Sequence, residues 1–211
     1  MRWLTGSAIF AGALCLSSWA LANGSHTNQF ASIFVDDKKI GHVHYSIKTS
    51  EQGVVEELRT RASLSVFGIK LYDFNQDLHE KWSTGELQDL QGTTNDDGKI
   101  DKTTVRRMQD DYQATLNDKP LTLPHKAFPI SLWHYAISQQ TLLFDLTDLT
   151  LMTVTISSKP ENVERAGKSI PTERFDFAGD WEGSVWFDAD KDFVKAQYEN
   201  QKRQVIVVMD P

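Results

Sequence analysis

The sequence predicts an all-β chain, mainly antiparallel: a curved sheet or barrel-like meander of long hairpins with one short helix covering it. Three observations predict this class. Apolar residues recur with a period of two along most of the chain, the pattern of strands that bury one face. Turn signals divide these runs at hairpin spacing. The regular alternation of helix and strand that a doubly wound parallel sheet requires is absent.

Val43, Tyr45 and Ile47 alternate with His42, His44, Ser46 and Lys48, and Leu58, Thr60, Ala62, Leu64 and Val66 alternate with Glu57, Arg59, Arg61, Ser63 and Ser65. Each segment reads as an antiparallel strand with one wet face. Ser50-Glu51-Gln52-Gly53, Ser83-Thr84-Gly85, Asn95-Asp96-Asp97-Gly98 and Asn117-Asp118-Lys119-Pro120 supply the turns. Over 69–82, Tyr72, Phe74, Leu78 and Trp82 share a face with Gln76 and Glu80. The ordinary reading is that the strand ends leave the core and these polar groups are solvated, because large charged groups are seldom buried unpaired. The sharper one is a cavity wall, apolar with a few placed polar groups.

Over 128–137 the period changes. Pro129 suits a first helical position, and Ile130, Trp133, His134 and Ile137 recur at helical spacing, which predicts a short helix acting as plug or lid. Strands return over 149–157, 170–177, 183–187, 193–198 and 204–209. Asp188-Ala189-Asp190-Lys191-Asp192 resembles the start of a calcium loop but lacks its later glycine and glutamate, so it reads as a hairpin turn.

Met1-Arg2-Trp3, an uncharged and mostly apolar run over 4–19, and the small-x-small site Ala20-Leu21-Ala22 predict a secretory signal peptide cleaved after Ala22. The mature chain, 23–211, is then one β-rich domain with no integral membrane segment, placed in the periplasm or secreted. Cys15 is the only cysteine and is removed with the leader, which excludes disulfides, thiolate metal sites and a cysteine nucleophile. Leu14 before it is not the small residue a lipoprotein site needs. Without Arg2 the chain carries 21 basic and 29 acidic residues, a net charge of −8, which disfavours nucleic acid as a partner.

No Gly-x-Ser-x-Gly elbow, phosphate loop or dinucleotide fingerprint is present, so no catalytic residue is assigned and no cofactor is expected. His42 and His44 could converge on a metal if His79 or a carboxylate joined them, but alternation puts both on the polar face and zinc needs three protein ligands. No metal residue is therefore assigned. Glu80 and Glu182, beside Trp82 and Trp181, raise a glycosidase-like carboxylate pair whose separation the sequence does not give. His134 reads either as a site residue or as a boundary histidine of the helix. The candidate ligand-binding set is Tyr72, Phe74, Glu80, Trp82, Trp133, His134 and Trp186, chosen for aromatic area with placed polar groups.

A family resemblance rests on blocks in order: 34–42 (Phe-Val-Asp-Asp-Lys-Lys-Ile-Gly-His), 80–87 (Glu-Lys-Trp-Ser-Thr-Gly-Glu-Leu), 93–99 (Thr-Thr-Asn-Asp-Asp-Gly-Lys), 129–133 and 185–188 (Val-Trp-Phe-Asp). Over nearly the whole mature chain it resembles an exported bacterial family, domain of unknown function 6134. The resemblance implies an exported, all-β periplasmic protein with no assigned activity, so no catalytic residue is carried over. Where the family's usual pattern has Trp-Asn in the central segment, this chain has Trp133-His134. The expected function is a binding or carrier module for an apolar or lipid-like envelope ligand. The alternatives are an envelope interaction module with a filled core, partnered by an envelope protein, and a metal-dependent enzyme.

Overall fold

The computed structural model describes residues 25–211 except Gly68 and Gln201, so the leader expected over 1–22 lies outside the described residues. Among the described residues fifteen strands follow one another: β1 (Ser25–Val35), β2 (Lys38–Ser50), β3 (Gly53–Val66), β4 (Ile69–Ser83), β5 (Glu86–Asp96), β6 (Lys99–Arg107), β7 (Asp111–Leu116), β8 (Lys119–Pro124), β9 (Phe128–Pro129), β10 (Leu142–Phe144), β11 (Leu151–Arg165), β12 (Lys168–Gly179), β13 (Gly183–Phe187), β14 (Phe193–Asn200) and β15 (Arg203–Met209).

The order in the single sheet is β8 back to β1, then β15 back to β9, so the first and last strands pair in the middle. All neighbours are antiparallel except β9 and β10. The two edges, β8 and β9, are consecutive in sequence and joined only by residues 125–127. Four residue steps span at most about 14 Å, so the sheet must curl until its edges nearly meet. The Ala127 amide donates to the Pro124 carbonyl at 2.8 Å and tightens the link. The edges are not hydrogen-bonded neighbours, which leaves a barrel-like sheet that does not close.

The hairpins form where the turn residues permit. Asp36 and Asp37 both take positive φ (48° and 64°), as do Asn117 and Asp118 (50° and 65°), the geometry of a two-residue turn whose twist matches the strands. Alternation then fills the inside: Val43, Tyr45, Leu58, Leu78, Trp82, Leu90, Val105, Val185 and Val207 are buried on the inner face. Gly92 of β5 leaves room for the segment after β10, because a Cβ there would meet Thr103 Oγ1 at 2.5 Å. Thr103 Oγ donates to the Leu146 carbonyl at 3.2 Å and holds that segment against the sheet.

The helix expected over 128–137 is corrected. Phe128 and Pro129 form β9, His134 is extended (φ −90°, ψ 116°), and one 3-10 turn runs over Tyr135–Gln139. The residue before a proline is pushed toward extended backbone, which favours strand at Phe128. Beyond it, His134 N–H donates to the Ser131 carbonyl and Ile137 N–H to the His134 carbonyl, so each step is a tight turn closed three residues back. A succession of three-residue turns also brings Ile130, Trp133 and His134 together, so the apolar spacing is real while the α-helix is not.

Candidate functional site

The inner face of β4 runs past two features in turn. Near its start, Tyr72, Phe74, Gln76 and Leu78 line a cavity of about 530 Å³, with Trp133, Leu146, Trp181 and Tyr198 among the facing residues. A second hollow of about 430 Å³ shares Tyr72, Phe74 and Tyr198 and extends to Ile40, Leu71 and Arg203. The 145–150 loop is fixed over the first, since Asp145 Oδ1 accepts from the Thr147 and Asp148 amides at 2.6 and 3.3 Å. Burial raises the pKa of Asp145 above the usual carboxylate range, against the pull of those amides. Gln76 Nε2 bridges Thr94 and Thr147 at 3.0 and 3.3 Å, tying the loop to β4 and β5.

The lining is mixed, with aromatic and aliphatic side chains beside Gln76 and the charged groups Asp96, Lys99, Asp101, Asp145 and Asp148. Asp96 Oδ1 is buried without a protein partner, and the Tyr72 phenol beside Asp96 is raised by burial and by that carboxylate. Burial and the charge of Asp145 push the Tyr198 phenol up to about 12. The lining thus joins aromatic and aliphatic surface and neutral phenols to several carboxylates, among which the Asp96 oxygen without a protein partner can accept a hydrogen bond.

Further along β4 the inner face becomes charged. Glu80 is fully buried, and Glu56 of β3, 3% exposed, stands directly opposite it in the antiparallel register. Like charges facing each other across a strand pair repel. His134 enters between them: its Nε2 lies 2.7 Å from Glu56 Oε2. The Trp82 indole N–H donates to Glu80 Oε2 at 2.9 Å and the Ser131 hydroxyl to the same oxygen at 3.2 Å. The imidazole lies 4.1 Å from the Trp82 ring, centroid to centroid.

Burial pushes the Glu80 carboxyl up to about 7; the charge of His134 opposes this, Glu56 adds to it, and the Trp82 and Ser131 bonds oppose it again. For His134 burial acts downward, but the hydrogen bond to Glu56 and the charges of Glu56 and Glu80 outweigh it, so the imidazole is held above its ordinary value. The Tyr45 phenol, raised by burial and by Glu56, completes the surround.

The structure therefore brings six of the seven candidate residues into one interior, at two stations: Tyr72, Phe74 and Trp133 on the cavity, Glu80, Trp82 and His134 in the charged cluster. Trp186 is a correction. Val185 points into the core, so its neighbour Trp186 faces outward, buried with Val163 and Val194 and covered by Arg174 and Lys195 at 4.9 and 4.6 Å. The solvated reading of Glu80 is also corrected, and Gln76 is half-buried and bonded rather than free. Glu56, Ser131 and Tyr45 were not among the candidates. Glu56 was legible, because the alternation of Leu58, Thr60 and Ala62 carried back two residues puts it on the inner face.

His42 is exposed and His44 stacks on Phe30 and bonds Asn28, both outside the barrel. Glu182 is exposed in the β12–β13 turn and is not part of the Glu80 cluster. Asp188 Oδ1 accepts from the Asp190 and Asp192 amides, a self-contained turn between β13 and β14.

Among solved structures, the chain is similar to a beta-barrel-like protein of domain of unknown function DUF1849 from Brucella abortus, with a TM-score of 0.61 and 9% identity over 87% of this chain and 95% of that one. At that identity the likeness is one of fold. A search of the curated proteins finds no match. The family model described as "Domain of unknown function (DUF6134)" matches residues 32–209, in agreement with the blocks read from the sequence, and the chain belongs to that family.

Proposed function

We propose that the chain is a non-catalytic binding or carrier module that holds an apolar, lipid-like ligand of the cell envelope inside the curled sheet, and that it is exported to do so. The observation carrying this reading is the cavity of about 530 Å³ between β4 and the 145–150 loop. That volume falls within the range of small-molecule sites, and its aromatic and aliphatic side chains offer apolar area beside charged groups that can hold a polar head. An interior filled by its own side chains, as an interaction module would have, leaves no such space. The apolar ligand contributes burial at roughly 25 cal/mol per Å² of its surface, and Asp96 and the phenols orient a hydroxyl or amine at its head.

The test is the mass of residues 23–211 purified from the exported compartment, measured natively and after denaturation, followed by titration with an environment-sensitive acyl probe. A carried mass lost on unfolding, and a saturable probe displaced by it, support the reading. A clean apo mass with no probe binding moves the chain to the interaction class.

A further inference from the structure

We propose that Glu56, Glu80 and His134 form a binding site for one divalent transition-metal ion of the zinc class, independent of whatever the cavity holds. The three donor atoms lie within 4.8 Å of one another, and no other His, Cys, Asp or Glu group among the described residues is given by the same geometry. Both carboxylates are buried, and no lysine or arginine forms an ion pair with either among the described residues. With both ionised, an imidazolium would leave one negative charge in excess inside the protein, where an unbalanced charge is expensive, so the metal-free cluster is balanced by a proton held on Glu80. A divalent ion that takes the place of the cluster's two protons leaves the set equally neutral.

The surroundings have the form of a metal site's outer layer. Indole and hydroxyl donors outside the triad, Trp82 Nε1–H and Ser131 Oγ–H, bond Glu80 and fix its orientation, as hydrogen-bonded ligating carboxylates are fixed elsewhere. Glu56 and Glu80 come from paired strands at facing positions, so their backbones are rigidly spaced; the adaptable ligand is His134, on the turns after β9. A tetrahedral ion at about 2.0–2.1 Å from its ligands holds them about 3.4 Å apart. Reaching that arrangement means opening the 2.7 Å contact between His134 and Glu56 and drawing Glu80 inward, both of which are side-chain movements. The His134 side chain is 23% exposed and marks the way in. Three protein ligands leave a fourth position for water.

Untagged, metal-stripped protein titrated calorimetrically with zinc should bind one equivalent. Cobalt used as a second probe should give the visible bands of a low-symmetry nitrogen and oxygen site. Glu80→Gln and His134→Asn, checked for native β-sheet signal, should each weaken zinc by a hundredfold or more, while Glu182→Gln leaves it unchanged. Absence of one-to-one binding by the folded wild type overturns the site without using any variant. So does zinc binding that folded Glu80→Gln and His134→Asn retain at full strength, which would place the ion elsewhere. Acyl-probe binding, measured on the same stripped protein, reports the cavity separately.

Discussion

Trp133 lies flat on Tyr45, ring centroids 5.1 Å apart and planes 20° from parallel. Trp133 also lines the cavity, and Tyr45 stands beside Glu56. The stacked pair therefore stands between the cavity and the buried Glu56, Glu80 and His134 cluster. An aromatic pair of this kind adds about 0.5–1.5 kcal/mol beyond the area it buries.

Replacing Trp133 by alanine should remove that stack. We expect acyl-probe affinity to fall about tenfold or more, the equivalent of roughly 1.4 kcal/mol. Trp133→Phe, which keeps a ring over Tyr45 and against Phe193, should retain most of it. Probe titration of both variants, with thermal unfolding as a control, measures this; equal affinity in the wild type and Trp133→Ala would remove Trp133 from the binding surface.

His134 supplies the only cation that the described ion pairs give to Glu56. In metal-free protein, His134→Ala leaves two facing carboxylates without it, and breaking one side of a buried pair costs about 3–5 kcal/mol. Glu56→Gln removes the repulsion at its source and should be milder. In a double-mutant cycle the loss should be well below the sum, with a coupling of about 1–3 kcal/mol. Denaturant unfolding of the three variants in chelator tests this, and strict additivity would show that the two residues do not interact.

Gly92 lets the 145–150 loop rest on β5. Gly92→Ala places a methyl where Thr103 Oγ1 is now 2.5 Å away and Leu78 Cδ2 2.9 Å away. Thr103 must turn, and its bond to the Leu146 carbonyl is lost. The expected destabilisation is about 1–3 kcal/mol, with faster amide exchange over 145–150 than in the wild type. Unchanged exchange there would mean the loop is held by other contacts.

The hairpins were legible because a period of two and Asn, Asp and Gly turns are local properties, and the pairing of each strand with its neighbour in sequence within the two meanders follows from them. What fixes curvature is not local: β8 and β9 become the edges only because β1 pairs with β15. Glu80, Trp82 and His134 were found together because strand alternation and a three-residue spacing each keep one face. The same alternation, read one residue on from Val185, excludes Trp186. The apparent helix failed because i, i+3 spacing fits successive tight turns as well as an α-helix, and Pro129 tips the start toward strand. The pairing of Glu56 with Glu80 needed the β3–β4 register, which shifts at the bulge between Leu64 and Ser65.

The raised phenols of the interior predict the alkaline limit of the fold. Burial raises Tyr72, Tyr112 and Tyr198 above the ordinary phenol value, Tyr198 to about 12. Below pH 10 these groups are protonated whether the chain is folded or not, so their contribution is complete there. Above it the unfolded phenols ionise first, and stability falls as pH rises from 10 toward 12, when the folded Tyr198 also loses its proton. Two pH units on this almost wholly buried group correspond to about 2–3 kcal/mol. The phenolate absorbance of these residues should therefore rise together with the loss of β-sheet signal, not before it. Tyr198→Phe, which cannot ionise, should move the alkaline midpoint upward; a midpoint that stays in place would show that Tyr198 ionises inside the folded barrel, and hence that water already reaches the cavity.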